Sequence, residues 1–184
     1  MKVLRKILVM LIFLLAVAAG FRYVLKDVFF PYKYETYINK YSKEYNLDPL
    51  FVLSVMKTES GFDENAHSHK NAVGLMQITV ETGEWAAEQM GLKNFSKEKL
   101  FDEEYNIRMG CWYLRKLNDM FDGDLNLMIA AYNAGPTNVN KWLADNQFSK
   151  DGKNLHYIPF GETKKYVNRV NTYYNVYKYL YDDK

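Results

Sequence analysis

The sequence predicts a mainly α single domain preceded by an apolar N-terminal helix. Three observations carry that prediction. Apolar residues recur at helical rather than strand spacing along most of the chain, residues that start and stop helices stand at the ends of those runs, and residues 7–21 are apolar without interruption. The chain's 184 residues suit one domain, and its 48% apolar content is ample for a core.

Taken in order, the first element is a membrane-targeting segment, residues 1–30, ahead of a globular domain at 31–184. Lys2, Arg5 and Lys6 precede the run Ile7 to Phe21, and Tyr23, Val24 and Leu25 continue it past Arg22, whose long side chain can reach headgroups. The uninterrupted run is shorter than the roughly 20 residues of a typical spanning helix. Ala16-Val17-Ala18 and Ala18-Ala19-Gly20 offer weak cleavage sites. Because apolar residues continue beyond them, an uncleaved single-pass anchor in a bacterial cell membrane is favoured, with export after cleavage as the alternative. The cations before the run place the domain on the extracytoplasmic side. No Cys follows the run, so a lipoprotein anchor is not supported.

Tyr34, Tyr37, Ile38, Tyr41 and Tyr45 then form a helical stripe. Asp48 and Pro49 are the residues expected at the N-cap and first position of a helix, since the Asp oxygen accepts from a free backbone N–H and Pro has none to leave unpaired. This helix closes at Glu59 and Ser60, and Gly61 permits a left-handed ending. A polar loop from Phe62 to Val73 follows. Leu75 to Met90 reads as a helix with a break at Gly83. Asp102 caps a helix running to about Phe121, and Asp124 caps one that ends at Gly135 and Pro136. The last helix spans about Glu162 to Tyr181. Strand signals are weak, although a short hairpin fits within the loops.

Val52, Val55, Met56 and Glu59 fall at i, i+3, i+4 and i+7, so Glu59 shares a stripe with three apolar side chains. A carboxyl in such surroundings loses solvation of its charged form and can hold a proton near neutral pH as a general acid. The alternative is a helix-terminal Glu turned to solvent. Asp63 and Glu64 are near it in sequence but read as solvated charges of a polar loop.

The Glu59-Ser60 pair, Ser68 ahead of GLMQI at Gly74 to Ile78, AYNAG at Ala131 to Gly135, and ETKKYV at Glu162 to Val167 stand in the order and rough spacing of the SLT-type lytic transglycosylases. The chain resembles that family from about Tyr34 to Tyr181, and four ordered motifs are far more specific than one. The resemblance implies a lysozyme-like fold and a peptidoglycan substrate. It implies that Glu59 protonates the oxygen between N-acetylmuramic acid and N-acetylglucosamine, then takes the proton of the muramoyl C6 hydroxyl, leaving a 1,6-anhydromuramoyl end without consuming water. One acid suffices where the substrate's N-acetyl group assists. Ser68, Gln77, Tyr132, Asn133, Glu162 and Tyr166 match cleft positions: Ser68 and Gln77 as hydrogen-bonding groups for sugar, Tyr132 as a phenol near the acid, Glu162 as part of the cleft, and Tyr166 as groove lining or packing.

Two departures from the family pattern affect loop shape. Asn71 replaces a frequent Gly ahead of GLMQ, and Thr79-Val80 replaces a frequent Met-Pro after it. Two rival functions share these residues: a goose-type lysozyme-like hydrolase, which would deliver water to the anomeric carbon, and a noncatalytic glycan-binding envelope protein.

Composition removes other classes. The net charge of +2 is split. Five cations against Asp27 give the first thirty residues +4, and the other 19 cations and 21 acids give the remainder −2. No basic patch suited to nucleic acid results. His67 and His69 form an H-x-H pair without recognisable partner ligands, so no metal or cofactor is assigned. Cys111 is the single cysteine, which excludes an internal disulfide, and its helical apolar neighbours make it a buried hydrophobe. The 16 tyrosines lie mostly at helical spacing and are expected to pack. A monomer is expected.

Overall fold

The computed structural model describes residues 2–182. Helix α1, Lys2–Val24, is continued by a π-helical stretch, Leu25–Phe29. The domain proper begins with α2, Glu35–Glu44, and α3, Pro49–Glu59. A two-stranded hairpin follows, β1 Ala72–Val73 against β2 Ile78–Thr79, antiparallel with Val73 opposite Ile78. Then come α4, Val80–Gln89, a 3-10 turn, Lys97–Phe101, and α5, Glu103–Met120. The chain finishes with α6, Leu125–Ala134, α7, Pro136–Leu143, and α8, Gly161–Tyr181.

Local chemistry sets most of these boundaries. Asp48, Asp102 and Asp124 each accept a backbone N–H of the first turn of the helix they precede, as their positions in the sequence predict. Gly135, at φ 84, ends α6 in a conformation that a side chain would strain, and Pro136 starts α7 at once with its preset φ. The Gly-Pro pair, which marks a helix end in the sequence, is thus also the start of a further helix, α7.

The predicted helix from Leu75 is a correction. Leu75, Met76 and Ile78 are fully or almost fully buried, yet they lie in a turn and a strand, and helix begins only at Val80. Gly74 and Gln77 both have positive φ, 75 and 48, which no helix accommodates, and Thr79 accepts the Thr82 N–H as a new N-cap. Thr79 thus starts α4 where the family often has Met-Pro. Gly83 does not break α4. A methyl there would lie 2.8 Å from the Phe95 ring, so the glycine lets the helix approach that ring closely.

The core gathers α3, α5, α6 and α8, with α3 packed chiefly on α8. Every residue from Leu50 to Met56 is buried, so α3 is a central helix enclosed on all sides. Cys111 is fully buried among these helices, and burial pushes its thiol pKa up. Tyr174 donates to Asp48 at one end of α3, and Tyr166 reaches Glu59 at the other, so α3 and α8 run antiparallel.

Candidate active site

Glu59 is the last residue of α3, where the chain leaves the core and turns at Gly61, φ 60. Tyr166, on the buried face of α8, donates its hydroxyl to Glu59 Oε1 at 2.5 Å. Burial pushes the Glu59 carboxyl from 4.5 up to about 7, and the donation from Tyr166 opposes that rise. The carboxyl is therefore poised between acid and base at neutral pH. Burial, then the nearby Glu59 charge, hold the phenols of Tyr132 and Tyr166 well above their ordinary pKa, so both stay neutral donors.

The loop that follows this carboxyl in the chain is held by its own polar residues. Gln77 donates from Nε2 to the carbonyls of Ala66 and Gly74, both at 3.0 Å. Ser68 Oγ accepts from the backbone N–H of Lys70 at 3.2 Å and Ala72 at 3.1 Å. Asn71 sits at φ 58, a left-handed conformation that Asn tolerates better than most residues. The predicted sugar contacts Ser68 and Gln77 thus shape the loop backbone, with the Ser68 hydroxyl hydrogen and the Gln77 carbonyl oxygen left for a ligand.

Tyr132, on α6, donates to the Met76 carbonyl at 2.8 Å, and its ring lies 5.3 Å from that of Tyr113. The resemblance implies that it is the phenol near the acid. It is near enough to feel the Glu59 charge, but the donor to the carboxyl is Tyr166. Asn133 accepts from the Thr163 hydroxyl at 2.8 Å and ties α6 to α8. Glu162 stands exposed in the first turn of α8, with Oε2 3.9 Å from Lys70 Nζ. Glu162, Lys70 and Asn133 border one cavity of about 290 Å³. Glu59, Tyr132, Tyr166 and the Gly74–Gln77 turn form one group, while Glu162 and Asn133 line a cavity with Lys70 that none of that group borders.

Two residues of α5 escaped sequence reading. Asn106 is buried, accepts from the Met76 N–H at 2.7 Å, and donates to the carbonyls of Leu100 and Val73 at 2.7 and 3.0 Å. It fixes the turn on which Tyr132 bonds. Gly110, one turn on, lies where a Cβ would come within 2.7 Å of the Met76 side chain. The available signal was a polar residue and a glycine one turn apart inside a helical pattern, where glycine costs about 1 kcal/mol relative to Ala.

Comparison with known proteins places the chain in a family. Residues 36–155 match the family model "Transglycosylase SLT domain". The chain is 34% identical to a putative soluble lytic murein transglycosylase of Haemophilus influenzae, over 82% of this chain and 26% of that protein. It is 29% identical to membrane-bound lytic murein transglycosylase C of Cronobacter sakazakii, over 80% of this chain and 47% of the relative. It superposes with a TM-score of 0.74 on an X-ray structure of an inactive mutant of the lytic transglycosylase Slt from Pseudomonas aeruginosa, at 30% identity over 83% of this chain and 25% of that one. The lysozyme-like fold expected from the motifs is the fold found. The chain spans about a quarter of the length of the first curated relatives it matches.

Proposed function

The chain belongs to the transglycosylase SLT domain family, and from that premise we propose that it is a peptidoglycan lytic transglycosylase with Glu59 as acid and then base. The observation that carries the proposal is the Glu59 carboxyl, partly buried at the end of α3, poised near pH 7 and held by Tyr166. Protonated Glu59 donates to the oxygen linking N-acetylmuramic acid to N-acetylglucosamine. The bond from the anomeric carbon breaks, and the substrate's own N-acetyl oxygen supports the positive charge that develops there. Glu59, now a carboxylate that accepts from Tyr166, takes the proton of the muramoyl C6 hydroxyl as that oxygen attacks the anomeric carbon. The product is a 1,6-anhydromuramoyl end, no water is consumed, and Glu59 regains its proton.

Tyr132 braces the Met76 carbonyl and walls the cleft, Gln77 and Ser68 hold the loop and offer their free polar atoms to sugar, and Asn133 and Glu162 offer polar groups in the cavity beside Lys70. The helix spanning Lys2–Phe29 is long and apolar enough to cross a membrane, supporting a single-pass anchor with the domain on the extracytoplasmic side. A membrane-bound relative is compatible with that placement.

The test is digestion of purified peptidoglycan by the full chain in detergent, beside its Glu59→Gln variant, with mass analysis of the products. Anhydromuropeptides from the parent alone are expected. The Pseudomonas relative, inactive with a Glu-to-Gln change, sets a precedent for the variant. Products one water heavier would assign a goose-type hydrolase, and binding without cleavage by a folded chain would assign a noncatalytic role.

A further inference from the structure

The end of the apolar helix is fastened to the domain at many points. Tyr181 donates to the Phe30 carbonyl at 2.8 Å, with the Lys26 carbonyl also within reach at 3.2 Å. Phe30 packs edge-on against Tyr173 and Tyr177, with ring centroids 5.5 and 5.3 Å apart. Lys57, two residues before Glu59, donates to the Phe29 carbonyl at 2.7 Å, and Tyr177 donates to that of Pro31 at 3.3 Å. Nearer the apolar run, Arg22 donates to the Leu180 carbonyl at 3.4 Å and stands 5.5 Å from the Tyr179 ring centre.

The order of these contacts gives a direction. Residues 173 and 177 meet residue 30, and residues 179 and 180 meet residue 22, so α8 runs back along the anchor toward the bilayer. Tyr179 is 71% exposed and borders a groove of about 430 Å³ with Leu15, Ala18, Ala19, Phe21 and Leu25. Four of these, Leu15 to Phe21, belong to the uninterrupted apolar run itself. An exposed tyrosine level with the end of such a run, flanked by Arg22 and Lys178, has the composition of a membrane interface, where an amphipathic ring sits among headgroups.

We propose that the C-terminal end of α8, through Tyr179, is a second membrane contact that seats in the phospholipid interface beside the anchor and fixes the height of the active site above the bilayer. The proposal rests on reading α1 as membrane-spanning. Tyr166 and Tyr179 are 13 positions apart on one helix, so the carboxyl bound to Tyr166 lies no more than about 20 Å along α8 from the interface. The substrate class is accordingly narrowed to glycan strands lying next to the membrane. A long tether would reach strands at many depths, and the contacts along Arg22 to Pro31 leave no slack for one.

The experiment uses the full chain in vesicles of phosphatidylethanolamine and phosphatidylglycerol. Tyr179→Cys and Glu162→Cys variants are labelled with an environment-sensitive fluorophore. Both positions are exposed, and Cys111 is fully buried and takes no label. Flotation reports membrane attachment separately, and circular dichroism reports folding. Expected are flotation of both variants, several-fold stronger quenching by brominated lipid at 179 than at 162, and the reverse with iodide. A floating chain with both labels open to iodide would overturn the second contact. Quenching of both by lipid would mean that the domain lies on its side and would overturn the fixed height. Loss of flotation in both variants and in the parent would instead remove the membrane-spanning reading itself.

Discussion

Replacing Glu59 by Gln should abolish cleavage and make the protein more stable at neutral pH, and the second effect can be worked from the structure. The folded carboxyl titrates near 7, whereas an unperturbed one titrates at 4.5. Between those values the folded state holds a proton that the unfolded chain has released, so the stability contributed by this group falls as pH rises through that window and is level above it. At 1.36 kcal/mol per pKa unit the full cost of ionising Glu59 in place is about 3 kcal/mol, and partial solvent access reduces it to about 2 kcal/mol. Gln has the same shape, can accept from Tyr166, and does not titrate. The assay is thermal unfolding of parent and variant, full length in the same detergent, at pH 4, 6 and 8. All other titrating groups are shared, so the difference between the two isolates Glu59. It should be small at pH 4 and grow to about 4–8 °C in favour of the variant at pH 8, from about 2–4 °C per kcal/mol for a chain of this size. A difference that does not change with pH, or that shrinks as pH rises, would refute the claim that Glu59 is held protonated by burial.

Tyr166→Phe removes a side-chain donor that favours the charged form of Glu59, a charge-assisted bond of about 1.5–3 kcal/mol. The alkaline limb of the pH–rate profile for peptidoglycan cleavage should move up by about 1 pH unit or more, with kcat lowered and folding intact by circular dichroism. Asn106→Ala strands the Met76 N–H and the Leu100 and Val73 carbonyls in the core. At roughly 1–3 kcal/mol for each unpaired buried group, a loss of 3 kcal/mol or more is expected in denaturant unfolding. Gly110→Ala presses on Met76 and should cost about 1–3 kcal/mol. Because Met76 carries the carbonyl that Tyr132 grips, activity per folded molecule should fall as well.

The boundaries set by Asp caps were legible in the sequence, whereas the Thr79 cap of α4 and the Pro136 start of α7, equally local, were not. The Asp caps of α3, α5 and α6 each act two or three residues from where they stand, and α3 buries the stripe that spacing predicts. The reading failed at Leu75 to Ile78 for a physical reason. Burial dictates apolar residues there whatever the backbone does, and the same letters serve a buried turn and a buried helix. Gly74 gave warning, but Gln77 at φ 48 is held there by two carbonyl contacts that only the folded loop supplies. The site divides along the same line. That Glu59 faces the core follows from three preceding residues, but its partner Tyr166 is 107 positions away, and no local rule selects it from 16 tyrosines.

That separation bears on how the site is built. Glu59 and Tyr166 sit on the two helices that pack most closely on each other, α3 and α8, and the antiparallel pairing is fastened at the far end by Tyr174 on Asp48. The same α8 carries Tyr173, Tyr177 and Tyr181 onto the chain leaving the apolar helix, and Lys57 of α3 meets it from the other side. Helix α8 therefore tunes the acid near its start and grips the anchor toward its end, while Lys57 of α3 joins that grip from two residues before the acid. The tyrosines of α8 are not interchangeable packing residues: spacing along the helix assigns Tyr166 to the carboxyl, Tyr174 to the cap of α3, and Tyr173, Tyr177 and Tyr181 to the emergence of the anchor. Because Tyr181 donates its hydroxyl to a backbone carbonyl of the anchor segment, Tyr181→Phe should loosen the anchor's seat while leaving Glu59 and its pH profile unchanged. A shifted profile in that variant would mean that the two ends of α8 are coupled.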